Sequence, residues 1–490
     1  MNKILIFYTP IIEIVDFYTR IVNEIISDNP NDQVIIVKCT GYEGLKNCIS
    51  NINSEYYRCK LCKSKLDSLI KNSAHKNLKI EYYTETKNHT QINLSSVEEL
   101  KHLVYQGVNI GKGVHSAAMT ILKDHSYDII KNIDLINKIT FTSKRTIDYL
   151  NSCSKKEIKR IYVFNGRVSH YNAVVEFSKL FNINYSTFET TSISNKYIEI
   201  SDNIIHNKKV FSHSIIEHWE NDDSFEKFEI GKSFFEKNIN STHSSEYITP
   251  IYTKYQKTGL IPSNFKKDKS IVFFGSSRNE YESVEGWHND FMSGDDEQIV
   301  IDICSRIPEM HFFYREHPNL KLQNNTQTRN IKKFKKIKNL TLVDSHSKVS
   351  SYELLKNAGK VIVFGSTIGV ESNYLGKPTI CLGPSLYEDL NITYKPKNFN
   401  ELKKLLIQND LIPLPNIDSI KFGFFELTKG KKISYDSEKL DLNINYYNRS
   451  IILFNKCYVL LKKIIKNKYN FYEIIADPRI KKQLMNFLKF

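Results

Sequence analysis

Three short stretches hold side chains suited to an anionic, hydroxyl-rich ligand. They are SIVFFGSS, with Gly275, Ser276 and Ser277; YREHPNL, with Arg315, His317 and Asn319; and VFGSTIGVESNYLGKP, with Gly365, Ser366, Thr367 and Glu371. Each begins as an apolar run of strand length and ends in small or polar residues. Gly365, Ser366 and Thr367 stand where the strand KVIVF gives way to the helix-like segment IGVESNYL, and a helix start offers free backbone N–H groups to an anion. Two hydroxyls there add donors, although Ser and Thr at such a position commonly serve only as helix caps. Pro318 restricts His317 to extended backbone, so that its ring projects from the strand end beside Arg315. Glu371 follows Thr367 by one helical turn, within reach of ribose hydroxyls. Three such loops at one edge of one sheet favour a bound phosphate, and so a nucleotide.

A parallel sheet is what must position them. Apolar runs alternate with helix-length amphipathic segments along the chain: KILIFY, QVIIVK, LKIEYY, RIYVFNG, SIVFFG, HFFYREHP, LTLVD, KVIVFG and PTICLG. That is the rhythm of βαβ units. A chain of 490 residues exceeds what one core usually supports. The spacing therefore predicts an α/β protein of two Rossmann-like doubly wound domains facing a central cleft. The expected divisions are an N-terminal domain over residues 1–240, a linker over 241–270, a C-terminal nucleotide-binding domain over 271–425 and a helical segment over 426–490. Ligands of such sheets bind beyond the carboxyl ends of the strands.

Composition narrows the partners. A formal charge of +15 implies an anionic one: nucleic acid, the inner membrane surface, or phosphorylated and acidic sugars. The basic runs IKKFKKIK (331–338) and LLKKIIKNKY (460–469) carry apolar residues at helix- or strand-like spacing, which marks solvated faces of packed elements. No zinc-finger helix, aromatic RNA-binding strand or helix-turn-helix accompanies them, which argues against nucleic acid. Pro10, Glu13 and Asp16 interrupt the N-terminal apolar run, and no stretch of eighteen apolar residues occurs, so the expected location is the cytoplasm. Four of the eight cysteines, Cys39, Cys48, Cys59 and Cys62, have spacings compatible with a structural zinc or with plain buried thiols. Asp295, Asp296 and Glu297 read as the capped start of a helix rather than a metal-binding segment.

SSRNEYESVEGW, YREHPNLK and FGSTIGVESNYLGKP together resemble the C-terminal domain of bacterial capsule and surface-polysaccharide biosynthesis proteins. They are similar to the HP and Ser/Ser-Thr motifs of bacterial sialyl- and Kdo-type transferases. The resemblance covers about a third of the chain and implies a GT-B-like fold. It assigns to His317, Ser366 and Thr367 the phosphate of a CMP-activated sugar. Helix amides, Arg315 and a protonated His317 would stabilise the charge that develops on the departing phosphate, so no cofactor or divalent metal is required.

The N-terminal half then supplies the acceptor side. Asn165, Gly166 and Arg167 form a strand-to-helix turn in RIYVFNGRVSHYN, and Glu189 ends the next strand in NINYSTFETTS. Arg167 is suited to an acidic sugar. Glu189 is the candidate general base or nucleophile, its alternative being a structural cap or pair. In YQGVNIGKGVHSAAMTIL, Gly107, Gly111 and Gly113 suggest a flexible acceptor-binding loop with Lys112 facing an anion, and the pattern is not a Walker motif. The function these readings reach is transfer of a CMP-linked ulosonic acid, Kdo or sialic-acid-like, onto a surface glycan or glycolipid. The alternatives are a CDP-alcohol polyol-phosphate transferase, a UDP-sugar 2-epimerase-like enzyme and a non-catalytic glycan-binding or assembly subunit. The lysine-rich segment after Asn455 either packs back on the N-terminal domain or lies against the inner membrane surface.

Overall fold

The computed structural model describes residues 2–10, 14–39, 48–53, 55–83, 91–193, 195–240 and 256–434. Its strands, in chain order, are β1 (Lys3–Phe7), β2 (Gln33–Cys39), β3 (Leu78–Tyr83), β4 (Val104–Tyr105), β5 (Val108–Asn109), β6 (Ile158–Phe164), β7 (Tyr185–Thr190), β8 (Lys196–Ser201), β9 (Ile271–Phe274), β10 (Phe312–Arg315), β11 (Leu340–Val343), β12 (Lys360–Val363) and β13 (Thr379–Cys381). The chain forms two compact units. One contains residues 1–89, 151–162 and 432 onward; the other contains 90–150 and 163–431. The division expected near residues 241–270 falls inside the second unit. Residues 241–255 and 435–490, which include the basic C-terminal segment, lie outside the described residues.

In the first unit, β1 pairs in parallel with β2 on one side and β6 on the other, and β2 pairs in parallel with β3. The runs KILIF and QVIIVKC are buried after their first residue, as strands covered on both faces must be. The helix Val15–Ser27 buries Tyr18, Ile21, Val22 and Ile25, the i, i+3, i+4, i+7 stripe of an amphipathic helix. Its Tyr18 hydroxyl donates to the Phe7 carbonyl at 2.7 Å, fixing the helix over the end of β1.

The second unit is built on a five-stranded parallel sheet, order β11-β10-β9-β12-β13. Numbered by appearance within the sheet, this is 3-2-1-4-5, the doubly wound order, and its direction reverses between β9 and β12. The pairing register sets Phe274, Arg315 and Val363 side by side. Three neighbouring strands therefore end at one level. Alternation along them divides the core: Ile271, Phe273, Phe312, Tyr314 and Ile362 face one side, Val272, Phe274, Phe313, Val361 and Val363 the other. The protein is thus α/β with parallel, helix-flanked, Rossmann-like sheets.

Within the same unit β7 pairs antiparallel with β8. The helices Lys227–Asn240 and Ile417–Thr428 cross closely at Gly231 and Gly423: a Cβ on Gly423 would lie 2.3 Å from the Gly231 carbonyl oxygen. In the basic run, Ile331 and Phe334 are buried while Lys332, Lys333, Lys335, Lys336 and Lys338 are exposed, a solvated face over core contacts. No helix among the described residues is long and apolar enough to cross a membrane.

Candidate functional site

The residues considered for the donor and acceptor sides all belong to the second unit. On its parallel sheet, the loops after β9 and β12 flank the point where strand order reverses, and the loop after β10 adjoins them. The Ser276 hydroxyl donates to the Phe364 carbonyl at 3.4 Å across that point. Gly365 has φ +94°, and a Cβ there would lie 1.9 Å from the Pro384 carbonyl oxygen, so only glycine fits. The turn is further held by the Tyr387 hydroxyl, which donates to the Ser366 carbonyl at 2.8 Å.

Capping does not account for the hydroxyls of this turn. The helix Ile368–Tyr374 has no side-chain cap bond from Thr367, whose side chain is exposed. Ser366 Oγ accepts only a long 3.5 Å bond from the Ile368 N–H. Gly275 has a different reason to be glycine from the one its sequence context suggests. A Cβ there would meet the buried Tyr314 hydroxyl at 2.3 Å, so packing demands it. Ser276 and Ser277 are likewise buried, and Ser277 Oγ donates to Asn279 Oδ1 at 3.2 Å.

His317 has the extended backbone that Pro318 requires, φ −63° and ψ 132°. Its Nδ1 accepts from the Asn319 N–H at 3.2 Å, which leaves the proton of the neutral ring on Nε2. Burial, with the Arg315 charge second, pulls its pKa down to about 4. The imidazole is therefore neutral at pH 7, which corrects the expectation of a protonated His317. Its ring carries an N–H and no positive charge. Arg315 is buried, its Nε donating to Ser351 Oγ at 3.1 Å and Nη1 to the Asp344 carbonyl at 2.7 Å. Desolvation lowers its pKa to about 10. Two of its nitrogens thus fasten the segment after β11 to β10. Glu371 is buried, receives the Tyr352 hydroxyl and has its Oε2 without a partner; burial raises its pKa to about 7.

The second group of residues surrounds the turn after β6. Asn165 and Gly166 have φ of 62° and 75°, a reversal that carries the chain from β6 towards the helix Ser169–Leu180. The Asn165 amide donates to Glu189 Oε2 at 2.6 Å, and the Thr190 N–H and hydroxyl donate to Oε1 at 3.0 and 3.2 Å. Burial outweighs these bonds and raises the Glu189 pKa. Turn and carboxylate are neighbours, as their spacing predicted. Arg167 Nη1 donates to Ser116 Oγ at 3.0 Å and Thr120 Oγ1 at 3.5 Å.

The glycine-rich segment before residue 122 is not a flexible loop. Gly111 and Gly113 lie buried in the first turn of the helix Gly111–Leu122. A Cβ on Gly111 would meet the Leu100 carbonyl at 1.8 Å and one on Gly113 would meet Asn172 Cβ at 2.6 Å, so these glycines permit close packing. Gln106 and Gly107, with φ 47° and 83°, form the turn between β4 and β5. Lys112 is exposed and pairs with Glu285 at 3.0 Å.

A cavity of about 550 Å³ adjoins the Asn165–Arg167 turn, lined by Arg167, Val175 and Ile204 with the segment Ser283–Gly286 as one wall. Ser283 Oγ donates to Ser116 Oγ at 2.9 Å, joining that wall to the hydroxyl that holds Arg167. Just before that segment stands Glu280, an exposed carboxylate that accepts from Asn319 Nδ2 at 3.2 Å and whose charge acts on Arg167. Glu280 therefore stands between the β10 loop and the β6 turn. Its role has no signal in the sequence, because residues 278–287 form 3₁₀ and irregular turns without periodicity.

Two further expectations concern charge clusters. Asp295 makes no side-chain cap bond to the helix Asp296–Arg306. Instead Asp295, Glu297 and Glu282 surround the buried Arg278 guanidinium at 3.0, 3.4 and 2.6 Å. Cys39, Cys48, Cys59 and Cys62 are free thiols. Cys39 and Cys48 share a hydrogen bond and Asn51 Nδ2 donates to Cys59 Sγ at 3.3 Å. Burial pushes the Cys62 thiol up to about 12. Among the described residues, no group of three or more His, Cys, Asp or Glu side chains is arranged to hold a metal ion.

No family model matches the chain, and no curated protein matches it. Among solved structures, it is similar to the Thermosulfurimonas dismutans KpsC β-Kdo 2,4 transferase at 12% identity and TM-score 0.37, over 55% of this chain and 80% of that one. The β-Kdo 2,7 transferase of the same organism's KpsC gives 15% identity and TM-score 0.33, over 58% and 88%. A putative UDP-N-acetylglucosamine 2-epimerase from Listeria monocytogenes gives 10% identity and TM-score 0.25, over 90% and 94%.

Proposed function

We propose that the chain is a nucleotide-sugar-dependent, metal-independent GT-B-type glycosyltransferase, with a CMP-activated ulosonic acid as donor and a surface glycan or glycolipid as acceptor. The observation that carries this reading is the switch point of the five-stranded sheet. Gly275–Ser277 and Gly365–Thr367 flank it, with His317 and Asn319 on the adjoining strand end. Doubly wound sheets bind nucleotides at such points. The hydroxyls of Ser366 and Thr367 and the Nε2–H of His317 supply neutral donors to a departing phosphate. Such fixed donors stabilise developing charge without reorganising. The CMP-linked donor itself rests on the motif resemblance.

On the acceptor side, Arg167 and Lys112 line the cavity, Asn165 and Gly166 form the turn that leads into Arg167, and Glu189 is the candidate base, held by Asn165 and Thr190. A lone pair on Oε2 remains for an acceptor hydroxyl, and a carboxyl raised by burial is a stronger base once ionised. A UDP-sugar 2-epimerase would use the same switch point but has no need of a separate cationic cavity. Thermal unfolding with CMP, CDP, UDP and GDP separates the readings, because a ligand of the folded state alone raises the midpoint. Stabilisation by CMP is the expected result; stabilisation by UDP alone would replace this reading by the epimerase one.

A further inference from the structure

The cavity beside the Asn165–Arg167 turn has a charge pattern that the fold does not require. Five cations line it, Lys112, Arg167, Lys179, Lys208 and Lys209, against the carboxylates Glu176, Glu285 and Glu388. Three lysines are matched: Lys112 with Glu285 at 3.0 Å, Lys179 with Glu176 at 3.0 Å and Lys208 with Glu388 at 2.7 Å. Arg167 and Lys209 have no salt bridge among the described residues. Arg167 also has its Nε buried without a hydrogen-bond partner, and desolvation pulls its pKa down. A buried donor left unsatisfied is unfavourable, and an anion entering the cavity would relieve it.

The helix Lys208–Glu220 begins at this cavity. Asn207 caps it, accepting from the Lys209 and Val210 N–H groups at 3.2 and 3.3 Å. Its first turn holds two lysines and no acidic residue. Cations there oppose the helix dipole, so for the helix alone they are the wrong choice. Lys208 is answered by Glu388 and Lys209 by no carboxylate among the described residues, and such departures from a local rule are expected at functional or strained positions. A Cβ on Gly286, whose φ is +81°, would lie 3.6 Å from the Lys208 side chain, so the lysine runs along the cavity wall.

We infer that this cavity is a subsite for an acidic group on the acceptor, a carboxylate or a phosphate carried by a sugar, with Arg167 as its anchor and Lys208 and Lys209 as its specificity-determining residues. The inference rests on the acceptor-side reading above and deepens it. The guanidinium fork matches either anion, whereas an ammonium acts as a point charge. A cavity of about 550 Å³ suits a group of sugar size. Lys112 can turn from Glu285 to the ligand, since so exposed an ion pair holds little energy. A neutral sugar would leave Arg167 Nε and the Lys209 charge without an anionic partner, which is how the site discriminates.

The test is direct binding to the full chain, by calorimetry, without donor. The probes are a methyl glucuronide, glucose 1-phosphate and methyl glucoside, at low and high salt. At least one acidic probe is expected to bind at least tenfold more tightly than methyl glucoside, with affinity falling as salt rises, and the tighter acid names the anion. The double change Lys208→Gln with Lys209→Gln, on half-buried and exposed side chains, is expected to cost the acid about tenfold and to flatten its salt dependence. Arg167→Lys keeps the charge and loses the fork, and is expected to weaken the acid as well. Equal binding of the neutral glucoside, or an unchanged affinity in the double variant, overturns the inference. Because no donor is present, acid binding by a protein that never turns over a nucleotide sugar would sink the transferase reading and leave this subsite standing.

Discussion

Replacing Glu371 by glutamine is expected to stabilise the protein at neutral pH and to change little at pH 4.5. Glu371 is buried, its Oε2 has no partner and its pKa is raised from the ordinary 4.5 to about 7, by desolvation against a smaller opposing bond from Tyr352. An acid whose folded pKa lies above its unfolded one keeps its proton longer in the folded state. Its ionisation then costs stability progressively as pH rises from about 4.5 to about 7, with the loss complete above that window. The interval corresponds to roughly 3 kcal/mol. Glutamine has the same shape and no charge, so the variant lacks this dependence. Urea unfolding of both proteins at pH 4.5, 5.5, 6.5 and 7.5 gives the difference directly. Asp296 and Glu297, whose pKa values are also raised, to about 6 and about 7, are common to both proteins and cancel. Curves that stay parallel across the window would mean that burial does not hold the proton on Glu371. A nucleotide whose ribose hydroxyls donate to Glu371 would favour its charged form. Binding at pH 6.5 is therefore expected to release a proton in the wild type and none in Glu371→Gln, as read from calorimetry in buffers of different ionisation enthalpy.

Other perturbations address the remaining parts. His317→Ala, and Ser366→Ala combined with Thr367→Ala, are each expected to lower transfer by on the order of a hundredfold with the unfolding midpoint little changed, as measured by initial rates and thermal melts. Gly365→Ala is expected to cost roughly 2–4 kcal/mol, because φ +94° and a carbonyl 1.9 Å from the new Cβ both oppose it. Gly376→Ala, at φ +68° but with nothing within 4 Å, is the matched control and is expected to cost about 1 kcal/mol. Asn165→Ala removes a hydrogen bond that favours ionised Glu189, so the acidic limb of the rate profile is expected to move to higher pH; an unmoved limb would remove Glu189 from the role of base.

The parallel sheets were legible because their strands are buried on both faces and so appear as unbroken apolar runs, from KILIF in β1 to TIC in β13. The convergence of the β9, β10 and β12 loops followed from strand ends alone, since parallel strands in register end together. What the sequence could not carry was the use made of each small or charged residue. Gly275 looks like a ligand-facing glycine until Tyr314 is found against it, and Gly111 and Gly113 look like a loop until Leu100 and Asn172 are found beside them. His317 looks like a cation until its burial is known. Glu280 and the Ser283–Gly286 wall lie in a stretch of 3₁₀ turns, and Lys208 and Lys209 reach the cavity from a helix 41 and 42 positions beyond Arg167 in the chain. Only the fold brings them together.

Whether the chain is a metal-independent transferase with a CMP-linked donor is decided by nucleotide release from CMP-, CDP- and UDP-linked donors, each with and without a glycan acceptor bearing acidic sugars, in the presence of EDTA. The expected result is release of CMP from a CMP-linked ulosonic acid, dependent on the acceptor and undiminished by the chelator. Turnover of UDP-N-acetylglucosamine without any acceptor, or CMP release that stops in EDTA and returns with magnesium, would contradict it.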